Sequence, residues 1–253
     1  MSISLGARVL IHCSQGCIEP KPEGGGFEFS SEFPADNAVY IRHATKSFRL
    51  VRESGYTHFV AAGSHTQAKS PDLSEGESVV QCLPRSFLAH MRRRILIDWR
   101  SLDSAENVYL SLMAVRKALG LVPISAVGVS VCWAIKQRRF ELTAAALGIK
   151  PFQFHGFARN ADAANPEALL KGEERQVTEM VESGDHLLLG KKWEEKRRSR
   201  YHLSAYERRL AARRREFPRF FAALDALREN PGDHAGATRV RKAFRDEVLQ
   251  PRR

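Results

Sequence analysis

The stretch AVYIRHATKSFRLVR, Ala38–Arg52, decides how the fold is read. Val39-Tyr40-Ile41-Arg42 and Phe48-Arg49-Leu50-Val51-Arg52 each alternate, imperfectly, between apolar and polar residues. Short runs of β-branched and aromatic side chains at that period mark strands covered on one face. The stretch therefore predicts two strands of an antiparallel sheet, over Ala38–Ala44 and Ser47–Arg52.

The flanking sequence has the same character. Ala7–Cys13, Gly26–Ser30, Thr57–Ala62 and Ser78–Leu83 are further candidate strands. Turn chemistry separates them at Pro20-Lys21-Pro22-Glu23-Gly24-Gly25-Gly26, at Glu53-Ser54-Gly55 and in the polar loop Gly63–Gly76. From about Arg85 the period becomes helical. Ser86–Trp99 fits a helix, although Ile95-Leu96-Ile97 fits a strand equally. Asp103-Ser104-Ala105-Glu106 opens the next helix with capping-box spacing. Gly120 and Gly148, each followed by an apolar residue and a proline, end two helices. Asn165 caps a further helix with Pro166 at its first position, and Ser183-Gly184 stops it. Lys191–Arg200, Ser204–Glu216, Pro218–Glu229 and Thr238–Leu249 complete the series, with Asn230-Pro231-Gly232-Asp233 as a break. The expected class is α+β. An N-terminal antiparallel β-rich part spans 1–100, a helical segment 101–160 and a basic helical domain 161–253, with Ala158–Pro166 as a polar hinge.

Composition bounds the setting. The chain has 253 residues, 43% of them apolar, which excludes wholly disordered and fibrous classes. Its longest apolar run, Ile124–Ile135, falls short of a membrane span. The N-terminus lacks a basic region followed by a long apolar one, so no signal peptide is expected. Cys13, Cys17, Cys82 and Cys132 are too few and scattered for a secreted disulfide framework. A cytoplasmic protein is expected, and the Ala- and Arg-rich composition suggests a GC-rich bacterium.

The net charge of +11 is segregated: +1 from Met1 to Asp98, zero from Trp99 to Asp185, and +10 from His186 to Arg253. Its focus is KKWEEKRRSRYHLSAYERRLAARRREFPRF, Lys191–Phe220. Leu203, Tyr206, Leu210 and Phe217, continued by Phe220, Phe221 and Leu224, form an apolar stripe at helical spacing. Off that stripe lie Lys191, Lys192, Lys196, Arg197, Arg198, Arg200, Arg208, Arg209, Arg213, Arg214, Arg215 and Arg219. Only Glu194, Glu195, Glu207 and Glu216 are near enough in sequence to compensate them. Arginines displayed this way suit bidentate phosphate contact and predict salt-dependent backbone binding without sequence information.

The segment LTAAALGIKPFQFHGFARN, Leu142–Asn160, resembles the helix-turn-helix of bacterial repressors and activators. The resemblance rests on Ala144, Leu147, Gly148 at the turn, Ile149, Pro151 opening the second helix, and Phe154 and Phe157 facing inward. Thr143 departs from the apolar pattern, and Gly156 weakens a helix by about 1 kcal/mol. The resemblance implies that Lys150, Gln153, His155 and Arg159 face the groove and read base edges.

Other constellations are sparse. His12, Cys13 and Cys17 have soft metal-ligand chemistry, but a structural zinc site wants four ligands. His43, His58, His65 and His90 are candidate general acids or bases for metal-independent RNA cleavage. Gly24-Gly25-Gly26 lacks the lysine and helix of a phosphate loop, and no paired acidic motif suggests two-metal chemistry. The expected function is non-catalytic nucleic-acid binding, with DNA favoured over RNA, by a regulator or mobile-element factor without a cofactor or membrane partner. The alternatives are a protein subunit of a nucleoprotein complex, such as an RNA-guided defence effector, and a small RNA-processing enzyme.

Overall fold

Ala7–Cys13 forms the central strand, β1, and its residues Val9, Leu10 and Ile11 are fully buried. An apolar run with no exposed face is what a parallel strand covered on both sides requires. In the computed structural model, which describes residues 6–20, 27–30, 36–67, 72–200 and 206–251, β1 pairs in parallel with β4 (His58–Ala62) and β6 (Ile124–Trp133). Beyond them lie β5 (Ile95–Asp98) and β7 (Phe152–Ala158), also parallel, in the order β5-β4-β1-β6-β7. The antiparallel ribbon is separate and small: β2 (Cys17–Pro20) and β3 (Phe27–Ser30).

Helices alternate with these strands and cover both faces. Alternate residues of each strand feed opposite layers. Leu10, Phe59 and Ala61 pack with Phe48 and Val51 of α1 (Asn37–Glu53), Val79 of α2 (Glu75–Gln81) and Met91 of α3 (Arg85–Met91). Val9, Ile11, Val60, Val127 and Val129 pack on α4 (Ser104–Leu119) and α5 (Gln137–Leu147). The same core takes Met180 of α6 (Pro166–Ser183) and Trp193 of α7 (Lys191–Arg200). After α8 (Ala211–Glu216) it takes Phe220 and Phe221 of α9 (Pro218–Arg228) and Phe244 of α10 (His234–Phe244). A π-helical turn, Arg245–Leu249, follows, and the buried Arg116 donates to its carbonyls at Val248 (2.6 Å) and Leu249 (3.1 Å).

The expected α+β class with an antiparallel N-terminal sheet is therefore wrong: the strands are parallel and interleaved with helices. Ala38–Ala44 and Ser47–Arg52 are one helix, whose buried residues Val39, Tyr40, His43, Ala44, Ser47, Phe48 and Val51 recur at helical spacing. Polar His43 and Ser47 on that face conceal the period. They are satisfied inside: His43 Nε2 lies 3.0 Å from Ser130 Oγ, and Ser47 Oγ lies 2.7 Å from the same hydroxyl. Ser78–Leu83 lies largely within α2, capped at Ser74 by a full capping box with Glu77. Ala7–Cys13 and Thr57–Ala62 are strands, but of the parallel sheet, and Ile95–Asp98 is a strand rather than the end of a helix. Asp103 caps α4 through the Glu106 amide (2.9 Å), and Gly148 and Gly184 take the left-handed conformation at helix ends. Leu203 lies outside the described residues. No helix among the described residues is long and apolar enough to cross a membrane.

Candidate anion-binding cleft

The strand order reverses between β1 and β6, because their onward crossovers run to opposite edges of the sheet. At such a switch point the loops after the two strands diverge and leave a crevice at the carboxyl edge, where helix N-termini point inward. A cleft of about 300 Å³ opens there. Residues Ser14 to Gly16 after β1, the start of α4 at Asp103 and the turn and first residues of α5 after β6 line it, together with faces of α6 and α7.

Four cations reach this cleft from three elements: Lys136 from the turn after β6, Arg139 from the first turn of α5, and Lys196 and Arg200 from α7. Arg139 is buried and fixed from behind by α6, pairing with Glu173 at 2.9 Å and donating to Gln176 Oε1. Its Nε is buried without a hydrogen-bond partner among the described residues. Lys196 stands 5.1 Å from the centre of the Trp193 ring. Arg200 donates to the Leu102 carbonyl at 3.3 Å. No described carboxylate comes within salt-bridge range of Lys136, Lys196 or Arg200. Burial, reinforced by the Arg139 guanidinium, pulls the Lys136 ammonium down to about 8. Burial and then Arg200 pull Lys196 to about 8 as well. These groups repel one another, and an anion seated among them reverses that repulsion into attraction.

The rest of the basic segment behaves differently. Arg209 is buried and grips Glu106 bidentately, at 2.9 and 2.8 Å, while also donating to the Arg100 carbonyl at 2.6 Å. Arg197 is buried against Asp103 at 2.5 Å and Glu106 at 3.4 Å, and donates to the Leu188 carbonyl. Buried Arg213 pairs with Glu216 at 2.6 Å, Arg214 with Asp225 at 2.6 Å and Arg219 with Glu247 at 3.1 Å. Lys191 lies 4.0 Å from Glu195, Lys192 pairs with Glu179 at 2.5 Å and Arg198 with Glu194 at 3.4 Å. Of the twelve cations named from sequence, Arg197, Arg209 and Arg213 are therefore internal, Lys196 and Arg200 face the cleft, and Arg208 and Arg215 are exposed with no described carboxylate in range.

The helix-turn-helix does not form. α5 is capped at Gly148, but Pro151 leads into β7, which pairs with β6 from Val127↔Phe152 to Trp133↔Ala158. Phe152 and Phe154 pack on the core, and a Cβ at Gly156 would sit 2.4 Å from Ala134 Cα, so a close approach rather than a helix sets that glycine. Gln153 and His155 meet the Tyr56 hydroxyl, which donates to Gln153 Oε1 at 2.7 Å and lies 2.8 Å from His155 Nε2. Lys150 and Arg159 are exposed, Arg159 lying 3.5 Å from Asp162.

His12, Cys13 and Cys17 are not gathered as a metal set. Strand alternation sends His12 toward α1, where its Nδ1 lies 2.9 Å from Ser47 Oγ, and Cys13 to the opposite layer. Cys17 donates to the Leu73 carbonyl at 3.4 Å. No group of three or more His, Cys, Asp or Glu side chains among the described residues could hold a metal. The candidate catalytic histidines are dispersed as well. His43 is stacked on His12 at 4.4 Å, His58 bonds Thr57 at 2.9 Å, His65 lies 3.8 Å from Glu77, and His90 is exposed. None of the four lines the cleft.

Fold and cleft together define a three-layer α/β protein with a polar, basic crevice at its sheet switch point. No family model, curated protein or solved structure matches the chain.

Proposed function

We propose that this chain is a binding protein for a small phosphorylated metabolite, held at the carboxyl edge of its parallel sheet. One observation carries the reading: Lys136, Arg139, Lys196 and Arg200 converge on one cleft from three elements, and only Arg139 has a described carboxylate in salt-bridge range. The N-terminus of α5 at the same edge, which no described side chain caps, adds the positive end of a helix dipole. A cleft of about 300 Å³ suits a ligand of one phosphate and a few carbons. Calorimetric titration with inorganic phosphate tests it. Lys136→Met and Lys196→Met are each expected to weaken binding about tenfold, the worth of one charge-assisted hydrogen bond. Unchanged affinity in both variants overturns the reading.

Polynucleotide binding is the second reading, favoured by Arg208 and Arg215 of the arginine-rich stretch, both exposed and with no described carboxylate in range. Its signature is a steep fall of duplex affinity with salt.

A further inference from the structure

The cleft has a second wall of opposite chemistry. It is built at the carboxyl ends of β1 and β4, across β1 from the basic turn after β6. Buried Glu75, the first residue of α2, dominates it. Its Oε1 accepts from the Gly16 amide at 2.9 Å, Thr66 Oγ1 at 2.5 Å and Gln67 Nε2 at 3.0 Å. Three donors on one oxygen fix the carboxylate, and Oε2 receives no hydrogen bond from a described residue. Beside it, Gln15 Oε1 is a buried acceptor without a described hydrogen-bond partner, and so is Oγ of Ser14, a residue only 7% exposed. Gly63 keeps the space between them open. A Cβ there would lie 2.7 Å from Glu75 Oε2 and 3.2 Å from Ser14 Cβ.

Buried polar atoms cost free energy until they are paired. This wall offers acceptors, and hydroxyl groups donate to acceptors without adding charge. The basic wall follows β6, while Ser14 and Gln15 follow the neighbouring β1 and Glu75 lies at the end of β4, two places away, or about 5 and 10 Å by the usual strand spacing. A ligand spanning them is anionic at one end and donates hydrogen bonds at the other.

We propose that the cleft takes the phosphomonoester of a sugar or other polyhydroxylated chain. Its phosphate lies on Lys136, Arg139, Lys196 and Arg200, and its far hydroxyls donate to Gln15 Oε1 and Glu75, with Ser14 completing the set. This assignment rests on the anion-binding reading above and adds what the rest of the ligand must be.

Titration calorimetry on the full chain with inorganic phosphate, ribose 5-phosphate and adenosine monophosphate separates the two claims. Ribose 5-phosphate is expected to bind about tenfold tighter than inorganic phosphate. Gln15→Ala is expected to remove most of that advantage while leaving the affinity for inorganic phosphate unchanged, which also shows that the variant is folded. Lys136→Met weakens both ligands. Equal binding of phosphate and ribose 5-phosphate overturns the polyol assignment and leaves the anion site standing. So does an advantage that survives Gln15→Ala, or a clear preference for adenosine monophosphate, which would assign the acceptor wall to a base. Failure of all three ligands to bind overturns the anion site itself.

Discussion

Lys196 and Arg197 are neighbours in sequence, yet they belong to two electrostatic worlds. Arg197 turns toward α4, where burial works against its charge but Asp103 and Glu106 overcome it and hold the guanidinium well above its ordinary range. Lys196 turns toward the cleft, where burial and then Arg200 lower its ammonium to about 8. The first environment is a closed network of matched charges that fastens the C-terminal helices to the start of α4. The second is a group of cations at the crevice, where the sheet order reverses, of which only Arg139 has a described carboxylate in salt-bridge range. A high local charge therefore says little until each cation is assigned to a partner. The +10 of the last quarter is divided between internal staples, exposed ion pairs and a few groups facing the cleft.

Removing a staple has the largest expected effect. Arg209→Met leaves Glu106, only 1% exposed, as a buried carboxylate short of its bidentate partner. A loss of about 3–5 kcal/mol in urea unfolding is expected. The cleft cations should behave oppositely, with Lys136→Met or Lys196→Met leaving stability equal or higher while anion binding falls. If the lysine variants destabilise as much as Arg209→Met does, the division into matched and unmatched sets is wrong.

A smaller effect is expected from pH. Lys136 and Lys196 titrate at about 8 in the folded chain, against an ordinary value of 10.5. Between those values the unfolded chain binds more protons, so the stability of the ligand-free protein rises with pH across that window. Below about 8 the repulsion is fully present. Urea midpoints for wild type and for the Lys136→Met/Lys196→Met double variant check this, since the rise should shrink in the double variant. Anion affinity should fall over the same window, with proton uptake on binding near its lower end. The least effect belongs to Arg208→Ala with Arg215→Ala. Both are exposed, so stability should change by less than about 0.5 kcal/mol. Should duplex binding exist, its log–log salt slope should fall by about two in magnitude.

Much of the fold's punctuation was legible. Asp103, Gly148, Asn165-Pro166 and Gly184 sit where caps and stops require them. The parallel sheet is hard to read in sequence because Ala38–Arg52 hides a helix behind polar residues on its inner face, and because β1, buried on both sides, shows no alternation. Its unbroken Val9-Leu10-Ile11 was the available signal. The cleft was legible only in part. Lys196 and Arg200 stand out in sequence as phosphate-gripping residues, though as part of an open helical face rather than a crevice wall. Lys136 and Arg139 follow the apolar Ile124–Trp133 directly, and a parallel reading of that strand would have placed them at its carboxyl edge. The pairing of Arg209 with Glu106, 103 residues away, leaves no local trace.

The proposed anion site is formed by the cations that converge on the cleft, not by the exposed arginines. Anomalous diffraction from crystals grown with tungstate, a tetrahedral dianion standing in for a phosphoryl group, tests it most directly. The account predicts a tungsten peak in the cleft between Lys136, Arg139 and Lys196. Tungsten bound only along the outer faces of α7 and α8, with the cleft empty, would contradict it.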